Sequence, residues 1–119
     1  MTHLNEAALQ DSVIKKIKEK YHPYVWIYKS HDLCTVGIPD MIMCLHGHFI
    51  AIELKTDKRS AKYQGDVSHL HVDLTQKASP LQKYNVKQIN DAGGSAFIGY
   101  NVEQIKDKIE RILASLKYI

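Results

Sequence analysis

At 119 residues, the chain is sized for one compact domain spanning 1–119. Its 45% hydrophobic content fits a globular fold, and no run of about 18 apolar residues offers a membrane span. The formal net charge of +3 permits nucleic-acid binding without requiring it, and Met-Thr-His-Leu-Asn-Glu lacks the charged-then-apolar pattern of a leader, so a soluble, intracellular protein is expected.

Asn5 is placed to cap a helix running from Glu6 to about Lys20, with Leu9, Val13, Ile14 and Ile17 on its apolar face. Glu6 and Gln10 extend that stripe toward the N-terminus, where an acid also suits the positive end of the helix dipole. His22-Pro23 ends the helix, because proline disfavours helical geometry in the residue before it. Tyr24 to Ser30 is rich in aromatic and β-branched residues and reads as a strand, with Lys29 as its one charge. A polar connection leads to Gly37. Cys34 and Cys44 lack a metal-binding spacing, and Cys44, within an apolar strand, is expected in the core as a reduced thiol.

The stretch from Gly37 to Lys55 is the most informative. Two apolar runs, Met41 to Leu45 and Phe49 to Ile52, flank His46-Gly47-His48 and predict a β-hairpin. A two-residue turn at His46-Gly47 pairs Leu45 with His48, and counting outward sets Asp40 directly across from Glu53, with Cβ atoms about 4.5–5.5 Å apart. A three-residue loop would break this register. Like charges in such a position repel, and the apolar surroundings give them no role in solubility. A divalent cation between the carboxylates would turn the repulsion into attraction, and oxygen ligands suit Mg²⁺. Side chains alternate along a strand, so Lys55 shares the face of Glu53. Ile42, Cys44, Phe49 and Ala51 lie on the acidic side, and Met41, Met43, Ile50, Ile52 and Leu54 on the other. A sheet apolar on both faces is expected to be covered on both.

Residues 57–78 open with a basic segment holding Lys58, Arg59 and Lys62, then alternate His69, His71 and Asp73 with Leu70, Val72 and Leu74. The basic residues suit phosphates. The His-x-His-x-Asp spacing reads as a solvated strand face rather than a zinc site, for which further ligands would be needed. Ser79-Pro80 starts a helix that runs to about Ala92 and stops at Gly93-Gly94, with Gln82 in its first turn. Ser95 to Tyr100 is a short strand expected to lie parallel to the second hairpin strand. Asn101 caps a last helix, with Gln104 as its expected capping-box partner and Ile105, Ile109, Ile112, Leu113 and Leu116 as its apolar face.

Pro39-Asp40 followed by Glu53-Leu54-Lys55 resembles the PD-(D/E)xK nuclease signature. With Gly37-Ile38-Pro39-Asp40, Gln82 and Gly93, the pattern is similar to the VRR-NUC branch, including its small stand-alone phage members. The resemblance spans roughly Leu4 to Leu113; the segment at 57–78 departs from it, since the family has a short loop there. It implies a restriction-endonuclease-like α/β fold, a mixed sheet flanked by helices in the order α-β-β-β-α-β-α. It implies metal-dependent hydrolysis of DNA phosphodiester bonds, with Asp40, Glu53 and the Leu54 carbonyl on Mg²⁺ or Mn²⁺ and Glu6 assisting. Lys55 and Gln82 would position water or offset charge, and Lys29 could contact a phosphate. The expected substrate is branched or junction DNA, including Holliday junctions, or duplex. The expected form is a homodimer, with no nucleotide cofactor and no membrane. The alternative is a DNA-binding or assembly module of the same fold that does not cleave.

Overall fold

The computed structural model describes residues 5–30, 37–56 and 78–116. In chain order they form α1 (Glu6–Tyr21), β1 (Val25–Lys29), β2 (Met41–Leu45), β3 (His48–Leu54), α2 (Pro80–Asp91), β4 (Ser95–Gly99) and α3 (Val102–Ser115). This is the expected α/β order. The sheet runs β1-β2-β3-β4, with β2 antiparallel to both neighbours and β4 parallel to β3. No helix among the described residues is long and apolar enough to cross a membrane.

Period-two alternation decides which side chains meet the helices. Met41, Met43, Leu45, Ile50, Ile52 and Leu54 point to one face and are buried against Leu9, Val13 and Ile17 of α1 and Ile105, Ile109 and Leu113 of α3. These apolar positions recur at helical spacing, so each helix presents one stripe to the sheet.

The opposite face is only partly covered. Helix α2 packs over β3 and β4, where Ala51 and Ala96 are buried. Toward β1 and β2 none of the described helices supplies the expected cover: Trp26 is 61% exposed, Tyr28 51% and Phe49 43%. Cys44, expected in the core, is exposed for the same reason, since it pairs with Trp26 and Phe49 on this face.

The helix ends follow local chemistry. Asn5 Oδ1 accepts from the Ala8 N–H at 2.8 Å and caps α1. Helix α2 ends with Gly93 at φ +100°, its N–H donating to the Asn90 carbonyl, while the Gly94 N–H reaches back to the Ile89 carbonyl. That pair of bonds is a Schellman motif. Asn101 caps α3 by accepting from the Gln104 N–H at 2.8 Å. The reciprocal half of the expected box is different: Gln104 Oε1 accepts from the Tyr100 N–H and its Nε2 donates to the Ile98 carbonyl. The glutamine thereby ties α3 to the end of β4.

Gly99 marks the tightest approach of α3 to the sheet. A Cβ there would lie 2.5 Å from Ile105 Cγ1 and 3.0 Å from Ile52 Cγ2. Overpacking of this kind costs about 1–3 kcal/mol. Gly99→Ala is expected to lower the urea midpoint accordingly, with an unchanged m-value.

Candidate active site

The turn sets the geometry. His46 and Gly47 both have positive φ, 51° and 80°, the signature of a type I′ turn. The His46 ring stacks on Tyr24 at 5.0 Å and 15°, and the His46 N–H donates to the Tyr24 carbonyl at 2.8 Å. From this turn the ladder runs Leu45–His48, Cys44–Phe49, Met43–Ile50, Ile42–Ala51 and Met41–Ile52. The next pair in that register is Asp40 and Glu53, as the two-residue turn requires.

Asp40 is fixed by three main-chain or side-chain bonds. The Leu54 N–H donates to its Oδ2 at 2.7 Å. Its carbonyl accepts from the Ser30 N–H at 2.9 Å and from Gln10 Nε2 at 3.0 Å. Gln10 therefore joins the helix to the acid-bearing segment.

Glu53 is 2% exposed, the one buried charged residue among those described. Burial pushes its carboxyl up to about 9, and a hydrogen bond and the negative charge of Asp40 push in the same direction; Lys55 opposes them and Glu6 adds to them. Lys55 Nζ stands 3.9 Å from Oε2, an ion-pair contact too long for a hydrogen bond. Gln82 Nε2 donates to the same Oε2 at 3.1 Å. Oε1 is buried and has no hydrogen-bond partner among the described residues.

Gln82 is employed at both ends. Its Oε1 accepts from the Ser79 N–H at 2.8 Å while its own N–H donates to Ser79 Oγ, closing a capping box at the start of α2. Its side-chain amide ties Glu53 to the helix. The Ser-x-x-Gln spacing was the available signal for that box.

Gly37 explains why α2 reaches the site. It sits at φ +88°, and a Cβ there would lie 2.6 Å from Leu81 Cγ and 2.9 Å from Asn85 Nδ2. Only glycine lets the segment before Asp40 pass this close to the helix.

The structure separates the other sequence candidates. Lys29 pairs with Met41, so it lies on the face opposite Asp40, where its Nζ bonds Asp11 at 2.8 Å. A phosphate contact by Lys29 would have to open this exposed pair, which contributes little to stability. Glu6 acts on Glu53 through its charge. Among the described residues no group of three His, Cys, Asp or Glu side chains is close enough to hold a metal ion, so Asp40 and Glu53 stand as a pair. Cys34, Lys58, Arg59, Lys62 and the His69-x-His71-x-Asp73 spacing lie outside the described residues.

The donor set fits a hard divalent cation. It offers carboxylate oxygens, one of them buried and without a partner among the described residues, whose joint ionisation Lys55 does not fully offset. Mg²⁺ binds such sites through one or two carboxylates and completes its shell with water and phosphate.

A four-stranded mixed sheet with helices on both faces, carrying this pair at the mouth of a hairpin, defines a restriction-endonuclease-like α/β domain. The fold is that of VRR-NUC domains. A solved structure described as a VRR_NUC domain protein superposes with a TM-score of 0.63 at 19% identity, covering 96% of this chain and 91% of that one. Another, described as a VRR_NUC domain, gives 0.52 at 20% identity, covering 84% and 92%. No family model matches the chain, and no curated protein matches its sequence.

Two outcomes follow from this geometry. The folded state holds the Glu53 proton up to about pH 9 whereas the unfolded chain releases it near 4.5. Between those values the native protein binds more protons, so the contribution is complete below the lower value and is lost as pH rises through the upper one. Urea midpoints measured in EDTA are expected to fall with pH across this window for wild type and to fall much less for Glu53→Gln. Separately, Gly37→Ala forces both a strained φ and a displaced α2. It is expected to destabilise by about 1–3 kcal/mol and to move the Gln82 amide resonances in NMR.

Proposed function

We propose that the chain is a metal-dependent nuclease that hydrolyses phosphodiester bonds in DNA, acting as a structure-selective endonuclease on branched or junction DNA. What carries this reading is the opposition of Asp40 and Glu53, two acids held face to face with Lys55 beside them. The likeness of the fold to solved VRR_NUC domains supports it.

In this reading Asp40, Glu53 and the Leu54 carbonyl hold Mg²⁺ or Mn²⁺, with Glu6 at the margin. The ion, when bound, would acidify a water and offset charge at phosphorus. The chain's own groups do the positioning. The Leu54 N–H fixes one oxygen of Asp40, and Gln82 fixes one oxygen of Glu53, so the second Glu53 oxygen keeps a defined direction. The Lys55 ammonium, close to Glu53 but not hydrogen-bonded to it, is available to stabilise negative charge growing on the phosphate. A junction presents two strands for symmetric cutting, so this substrate entails a homodimer.

The test is cleavage of a panel of labelled Holliday-junction, flap, duplex and single-stranded DNAs with Mg²⁺, Mn²⁺ or EDTA. Wild type is expected to cut branched substrates only with metal. Asp40→Ala and Glu53→Ala are each expected to lose about a thousandfold or more, the several kcal/mol a catalytic ion contributes. Near wild-type cleavage by either variant sinks the assignment, and binding without any metal-dependent turnover makes the chain a DNA-binding module instead.

A further inference from the structure

The uncovered part of the sheet lies on the same face as the acids. Trp26 pairs with Cys44 and Tyr28 with Ile42, and Ile42 shares its face with Asp40 two residues away. Trp26 and Tyr28 are therefore successive outward positions of β1, at 61% and 51% exposure, and Tyr24, one residue before the strand, is 62% exposed. Trp26 and Tyr28 stack with planes 6° apart and centroids 6.1 Å apart, and Tyr24 is braced against His46. Single exposed apolar residues need no explanation, but a contiguous aromatic row marks a binding surface.

The row has a direction. Alternate residues on a strand advance about 6.6 Å, so Trp26 lies one such step farther from the acid pair than Tyr28. The neighbouring outward residues Ile42, Cys44 and Phe49 carry no charge, so an anionic backbone meets no repulsion along the row. Aromatic side chains on an open sheet face are platforms for unpaired bases, because every base has a π-face to offer. A duplex offers none, its bases being already stacked on one another.

We propose that Tyr24, Trp26 and Tyr28 form a stacking ledge for unpaired bases of a DNA strand whose phosphate lies at Asp40 and Glu53. This rests on the nuclease reading and sharpens it. The preferred substrate has a single-stranded segment next to the cut, as a flap or an opened junction does. The ledge, rather than the acids, then supplies discrimination against intact duplex. A second copy of the chain is the competing occupant. Continuity with the acid pair and the exposed, parallel rings of Trp26 and Tyr28 favour the strand.

Trp26 is the sole tryptophan, so the ledge carries its own probe. The full-length chain is titrated in EDTA with a short thymidine oligonucleotide and, separately, with an abasic oligomer carrying the same number of phosphates. The thymidine strand is expected to quench Trp26 emission saturably, and the abasic strand to bind about tenfold or more weaker. Tyr28→Ala and Tyr24→Ala are each expected to weaken the thymidine strand by about tenfold, the loss typical of one stacked base. Because these side chains are exposed, the variants should fold, which unchanged far-UV circular dichroism checks. For Trp26→Ala, anisotropy of a labelled oligonucleotide replaces the quench. Equal binding of the two strands, or no quenching, overturns the ledge. So does a blue shift of Trp26 emission on raising protein concentration without DNA, if thymidine then fails to quench, since a second copy would be the occupant. Metal-dependent cleavage that persists in those cases leaves the nuclease reading standing. Base-dependent quenching with no cleavage upholds the ledge and removes the nuclease reading.

Discussion

Two carboxylates face each other because a two-residue turn leaves them no alternative. A type I′ turn at His46-Gly47 fixes every pair of the hairpin, and the pair it leads to is Asp40 and Glu53. The negative charges of the two acids oppose that arrangement. Glu53 is buried, its own charge is opposed by that of Asp40, and its carboxyl keeps a proton up to about 9. Burying a carboxyl in this way is costly unless its partners compensate, and here one oxygen is left without any. Strain of this sort belongs at sites where a ligand completes the set.

The surroundings hold the acids apart from one another's freedom rather than neutralise them. The Leu54 N–H takes one oxygen of Asp40, Gln10 takes its carbonyl, and Gln82 takes one oxygen of Glu53 while capping its own helix. Each of these bonds runs to the backbone or to a neutral amide. They orient the carboxylates without cancelling the charge that a cation would need. Among the described residues Lys55 is the cation beside Glu53, and at 3.9 Å it lowers the proton affinity without overcoming burial and Asp40.

The parts of this arrangement that depend on local rules were legible before the structure. Strand alternation, the His46-Gly47 turn, the Ser79-Pro80 start and the Gly93-Gly94 stop are all decided within a few residues, and the element order and the acid register followed from them. What escaped were questions of reach. Whether Cys44 is core or surface depends on how far α2 extends across the sheet, and no periodicity encodes that. Lys29 falls on the far face because β1 pairs with β2 through a long connection whose register a reader of the chain cannot count. Gln104 bonds Tyr100 and Ile98 instead of closing its box because the end of β4 lies within reach, a tertiary fact. Gly37 looked like part of a motif, and its reason is the side chain of Leu81, far along the chain.

The acid pair and the aromatic row are consequences of the same register. Side chains alternate with period two, so a slip of one residue between β1 and β2 would send Tyr24, Trp26 and Tyr28 to the buried side and bring Val25, Ile27 and Lys29 to the acid side. What resists the slip is local. The His46 N–H bonds the Tyr24 carbonyl and the two rings stack, so the hairpin turn that opposes the acids also anchors the start of β1. At the other end the Ser30 N–H bonds the Asp40 carbonyl, pinning the strand beside the acid itself. Between these two clasps β1 has no freedom to shift. One short turn therefore sets both the placement of the two acids and the composition of the surface beside them.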